Sequence, residues 1–168
     1  MASGDTLAPF PASAWEARVS TGGALIQRGS GDYLHKSASL PDAGTHGFFY
    51  DWVVPSHYDG GGVTVVVGYR MTSATANEIV MQVDIQNITT VDIDSAASFG
   101  TATTVEETVP GTAGGGGTFS AAISHANAGS PSAGDQLMLR IQRLGDSSSP
   151  ADDATGNVEL SWIEIRET

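Results

Sequence analysis

Apolar and polar side chains alternate along this chain with a period of two, and glycine-rich turns cut the alternation at short intervals. Successive strand side chains point to opposite faces, so each such run makes one face of a sheet apolar and leaves the other polar. A helix would need apolar residues at i, i+3, i+4 and i+7, and no window of useful length has them. The clearest run is residues 78–88, which sets Ile79, Met81, Val83 and Ile85 inward against Gln82, Asp84 and Gln86. Residues 136–144 set Leu137, Leu139 and Ile141 against Arg140 and Gln142, and Val63, Val65, Val67 and Tyr69 alternate after the turn at residues 58–62.

Weaker signals fill the intervals. Trp15, Ala17 and Val19 alternate near the start, and a short strand pair is expected near residues 24–28 and 33–36. Residues 47–54 place Phe48, Tyr50 and Trp52 on one face and Phe49 and Val53 on the other, as in a strand covered on both sides. Strands are also expected at residues 101–109 and 118–125. In the last strand, residues 157–166, Val158, Leu160 and Trp162 share a face and Ile163 and Ile165 take the other. That phase slip predicts a bulge or a change of packing partner. Residues 95–99 alone suggest a helical turn.

About eight strands at this spacing predict an all-β fold, a two-sheet antiparallel sandwich of jelly-roll type. One such domain is expected over residues 15–168, which is ample length for a single core. Residues 1–14 show no periodicity and carry Leu7, Pro9, Phe10 and Pro11, so they read as an extended N-terminal arm. With Trp15, the arm either lies across its own domain or grips a neighbour.

Charge and composition narrow the partners. Seven basic residues against 19 acidic ones give a net charge of −12, which argues against nucleic acid and anionic membranes because both need a positive patch. There is no cysteine, so neither disulfides nor thiolate metal sites can hold the fold. The first residues lack the basic-then-apolar pattern of a signal peptide, so synthesis in a cytoplasm, with release by lysis, is the expectation.

Catalytic and metal chemistry finds little footing. The four histidines, His35, His46, His57 and His125, are scattered, and only His57 and Asp59 stand close together. A metal site needs three or four converging ligands, so no metal or cofactor is assigned. Asp92, Asp94 and the loop of residues 146–153 offer oxygen atoms suited to calcium, but acidic turn residues ordinarily bond to local backbone. Paired carboxylates of the glycosidase kind would have to come from Glu78, Glu106, Glu107, Glu159 or Glu164. Adjacent or five positions apart, these should diverge, so the chain is read as no enzyme. Asn87-Ile88-Thr89 is a sequon that reads as chance in a chain without a leader. Most aromatics fall on alternating strand positions and read as core. Tyr58, in its glycine-rich turn beside His57 and Asp59, is the one expected to face outward and to contact a ligand.

Several blocks also carry a family likeness. Tyr58-Asp59-Gly60-Gly61 before a valine-rich strand comes first. Phe99-Gly100-Thr101-Ala102, then Gly129-Ser130-Pro131-Ser132-Ala133-Gly134-Asp135-Gln136-Leu137 with Arg140-Ile141-Gln142-Arg143, and finally Leu160-Ser161-Trp162-Ile163-Glu164-Ile165 follow in that order. Over about residues 52–165 this resembles the jelly-roll virion proteins of tailed bacteriophages, while the amino-terminal third departs from them. The resemblance implies a structural protein of the virion with no catalytic residues. It covers capsid decoration (cement) proteins and fibre-associated proteins and does not choose between them. The leading expectation is a capsid decoration protein that binds the major capsid protein and copies of itself as a homotrimer, with Leu7, Pro9, Phe10, Pro11 and Trp15 of the arm at the subunit contact. The alternative is a carbohydrate- or receptor-binding module of a head or tail fibre, contacting glycan through His57, Tyr58 and Asp59.

Overall fold

A computed structural model describes residues 5–11, 24–30, 33–89, 91, 99–145 and 148–168. The expected strands at residues 15–20 and the turn at residues 95–98 lie outside them. The described residues hold ten strands and no helix, in two antiparallel sheets that face each other as a jelly-roll sandwich. The first sheet runs β2 (Ala24–Ser30), β3 (Tyr33–Leu40), β10 (Val158–Glu167), β5 (Val63–Met71) and β8 (Gly116–Ile123), with β1 (Thr6–Pro11) also paired to β10. The second runs β4 (Thr45–Val53), β9 (Gln136–Leu144), β6 (Glu78–Asn87) and β7 (Thr103–Thr108).

The period-two residues make the core. Ile79, Met81, Val83 and Ile85 of β6 and Leu137, Leu139 and Ile141 of β9 are at most 2% exposed, and they face Val63, Val65, Val67 and Tyr69 of β5 across the sandwich. Each such Leu, Ile or Val withdrawn from water contributes roughly 1.5–3 kcal/mol. Burial pushes the Tyr69 hydroxyl up to about 12, with Glu107 adding to the shift, so this ring is neutral core. Phe48 and Trp52 of β4 join the core as expected, whereas Val53 is 61% exposed.

The phase slip in the last strand is a bulge. Leu160 pairs with Tyr69 and Trp162 with the next residue of β5, Gly68, so Ser161 is the extra residue. Val158, Leu160, Ile163 and Ile165 therefore all reach the core, and Trp162, expected beside Val158 and Leu160, is turned out at 39% exposure. Its ring lies on Gly68, where an added Cβ would come within 2.1 Å of Nε1. The same bulge corrects the expectation for Glu159 and Glu164: both stand on the outer face of this sheet.

The arm is a strand of its own domain. β1 takes the edge of β10 along Trp162 to Arg166, in line with β3, which takes the same edge at Val158 to Leu160. Leu7 and Ala8 are buried in the core, so Leu7 is not available to a neighbouring subunit. Pro9 and Pro11 are two residues apart, so their missing N–H groups fall on one edge, the edge away from β10. The backbones of Phe10 and Pro11 pair with Ile163 and Trp162, and Trp15 lies outside the described residues.

The connection from β9 to β10 is held by a buried ion pair. Arg143 and Asp152 have side chains wholly shielded from solvent, with Nη2 of the arginine 2.6 Å from the carboxylate. Arg143 also donates to the carbonyls of Ala154 and Gly156, and the second Asp152 oxygen accepts the Val80 amide of β6 at 2.9 Å.

Candidate functional site

Strand alternation gives the β4-β9-β6-β7 sheet an outer face, and several of its side chains are as shielded from solvent as the core. Registers align Gly47, Gln142 and Gln82 in one row, Phe49, Arg140 and Asp84 in the next, and Asp51, Met138 and Gln86 in a third. An outward sheet face is normally wet. Here Asp84 is 1% exposed, Met138 3%, Gln86 5% and Gln142 7%. Polar groups withheld from water cost free energy unless they are paired, and this face pairs most of its own.

The pairing is lateral, strand to strand. Arg140 Nε donates to Asp84 Oδ1 at 2.9 Å and Nη2 to Oδ2, a two-bond fork across the centre of the face. Gln142 Nε2 donates to Gln82 Oε1 in the row beside it. Burial pushes the Asp84 carboxyl above the ordinary aspartate range, against the lowering by Arg140. In the third row Gln86 Oε1 is buried with no hydrogen-bond partner. Aromatic surface lies alongside: Phe49 projects from β4, and Phe99 lies 6.0 Å from it with Arg140 4.2 Å from its ring centre. The arrangement offers flat hydrogen-bonding groups, one unused acceptor and aromatic faces, with its positive charge matched internally.

The loop expected to recognise a ligand is built differently. His57 and Asp59 are exposed, but Tyr58 is only 8% exposed and does not face outward. Its hydroxyl donates to the Gly61 carbonyl and lies 3.1 Å from His125 Nδ1, while its ring stacks on that imidazole. Glu167 Oε1 accepts the amides of Asp59 and Gly61 at 3.0 and 3.3 Å. Tyr58 thus pins the turn, and burial followed by the nearby Glu167 raises its hydroxyl above the usual tyrosine range.

The other candidates are structural. Asp152 serves Arg143, and Asp153 Oδ1 accepts the Glu78 amide at 2.9 Å. Asp92, Asp94 and Asp146 lie outside the described residues, among which no three His, Asp or Glu side chains converge as metal ligands. Glu159 is 2.7 Å from Arg70 and Glu164 is 2.7 Å from Arg166, so each acid on the outer face of the first sheet has its own arginine. Asn87 of the sequon is 4% exposed and donates to Asp135 at 2.8 Å, which closes it to glycosylation in the folded chain.

Alternation puts Gln82, Asp84, Gln86, Arg140 and Gln142 on outward strand positions, which are ordinarily solvated. Nothing in the period-two pattern distinguishes a wet face from a shielded one. The one available signal was the opposite charge of Asp84 and Arg140 on two strong strands.

No protein-family model and no curated protein matches this chain. Solved structures do match along its whole length. A carbohydrate-binding module from Cellvibrio mixtus lichenase 5A, solved with cellotriose, has TM-score 0.53 at 13% identity, covering 98% of this chain and 99% of that one. A xylan-binding domain from Paenibacillus barcinonensis has TM-score 0.54 at 14% identity, covering 98% and 96%. The cycloalternan-forming enzyme of Listeria monocytogenes, solved with a pentasaccharide, has TM-score 0.56 at 15% identity, but this chain covers only 12% of it. At these identities the likeness is one of fold: the chain has the β-sandwich of carbohydrate-binding modules.

Proposed function

We propose that the chain is a non-catalytic carbohydrate-binding module, and that the outer face of the β4-β9-β6-β7 sheet holds its ligand. The observation that carries the reading is a patch of planar polar side chains on an outward face, with Asp84, Gln86 and Gln142 kept from water beside the half-buried Gln82 and Arg140, and with an acceptor on Gln86 that has no protein partner. Sugars are bound by such groups, which fix hydroxyls by hydrogen bonds while aromatic rings take the apolar face of the pyranose. The two full-length fold matches, a cellotriose-bound module and a xylan-binding domain, support the same class. Because Asp84 already neutralises Arg140 and the chain carries a net charge of −12, the ligand is a neutral glycan and not a uronate or sulfated one.

The cement reading drawn from the sequence blocks has no counterpart in those matches, so recognition comes first. A phage head or tail fibre is the setting the blocks propose for it. Calorimetric titration of neutral gluco- and xylo-oligosaccharides, with a polyuronate as contrast, tests the reading. Binding of a neutral member that Gln86→Leu, a change close in volume, weakens at least tenfold supports it. Wild-type-like affinity in Gln86→Leu, or preference for the polyuronate, overturns it.

A further inference from the structure

We infer that Phe99 is a built-in competitor, a ring that occupies the sugar position on the sheet face until ligand displaces it; this rests on the reading of that face as the glycan site. Three observations meet at this residue. It arrives from the connection between β6 and β7, not from any strand of the sheet, yet its ring lies over Arg140 at 4.2 Å and beside Phe49 at 6.0 Å. Arg140 cannot follow a departing ring, because its fork on Asp84 ties it down to the sheet. The backbone next to Phe99 is fixed as well: Gly100 donates to the Ile85 carbonyl at 3.2 Å and packs so closely on Asn127 that an added Cβ would lie 1.9 Å from its carbonyl oxygen.

The side chain therefore swings about an anchored backbone while the platform beneath it stays in place. The two occupants use the platform differently: the Phe99 ring takes the cation–π contact with Arg140, whereas a pyranose packs its C–H face on the Phe49 ring and offers its hydroxyls to the guanidinium N–H groups. Such a self-contact reduces the apparent affinity by the fraction of molecules in which the platform is open.

Phe99→Ala and the milder Phe99→Leu test the inference by titration with the tightest neutral oligosaccharide of the panel, each variant checked for folding by its melting transition. The expected result is a rise in affinity of roughly five- to thirtyfold, the equivalent of releasing one cation–π contact and one ring pair. In wild type, the Arg140 Nε–H resonance should also move on saturation toward its position in sugar-free Phe99→Ala, as the ring current is withdrawn. Folded variants whose affinity is unchanged or lower, with an Arg140 resonance unmoved by ligand, overturn the competitor role and leave Phe99 as a structural cover. No binding by wild type or by either variant overturns the glycan site itself.

Discussion

Replacing Asp152 with alanine tests whether the sandwich is closed at one end by a buried charge pair. The carboxylate accepts from Arg143 Nε and Nη2 and from the Val80 amide, so its loss leaves a wholly buried guanidinium with only the Ala154 and Gly156 carbonyls and strands Val80 N–H. Breaking a buried pair from one side costs about 3–5 kcal/mol, because the remaining charge stays desolvated. An unfolding entropy of about 2.1 cal/mol/K per residue, over 168 residues, is about 0.35 kcal/mol/K. A loss of about 4 kcal/mol then lowers Tm by about 11 °C. Differential scanning calorimetry measures it directly. Asp153→Ala is the internal control: it removes a carboxylate one residue away, exposed and bonded to a single strand-end amide, and should cost less than about 1 kcal/mol, or under about 3 °C. Equal shifts for the two variants, or a fall below about 3 °C for Asp152→Ala, would refute the clamp.

Two further outcomes follow from the first sheet. Arg166 and then Thr6 hold the Glu164 carboxyl below the ordinary glutamate range by hydrogen bonds, and Thr6 belongs to β1. The stabilisation is thus complete above that range and lost as pH falls through the lowered value, so hydrogen-exchange protection of the β1 amides, corrected for intrinsic rates, should decline below about pH 4 and do so less in Glu164→Gln; protection flat with pH in both proteins contradicts this. Gly68→Ala places a Cβ inside the Trp162 ring, so it should shift tryptophan emission to the red and cost about 1–3 kcal/mol in urea denaturation. Unchanged emission and stability would show that the ring does not need the glycine.

What could be read in advance followed the physics of alternation. Residues 78–88 and 136–144 point to β6 and β9 because Ile79, Met81, Val83 and Ile85 line one face of the first and Leu137, Leu139 and Ile141 one face of the second, although Arg143, buried on that same face of β9, escapes the pattern. β1 was read as an arm because two prolines erase strand propensity; its place was set by an edge of β10 left open beyond β3, which is a tertiary fact. The slip at Trp162 was visible, but its consequence needed the pairing with Gly68. The site was the least legible part. Tyr58 looked presented because its turn is rich in glycine, whereas His125 and Glu167, 67 and 109 positions away, draw it in. Gln82 and Gln142 are 60 positions apart, as distant in sequence as they are adjacent on the face.

The most direct measurement is an NMR titration of the isotope-labelled chain with a neutral oligosaccharide, following backbone and side-chain amides. The largest shifts are expected on Gln82, Gln86, Arg140 and Gln142, with Phe49 and Phe99 beside them. Shifts confined to the turn around His57 and Asp59, or to the outer face around Trp162, would contradict this.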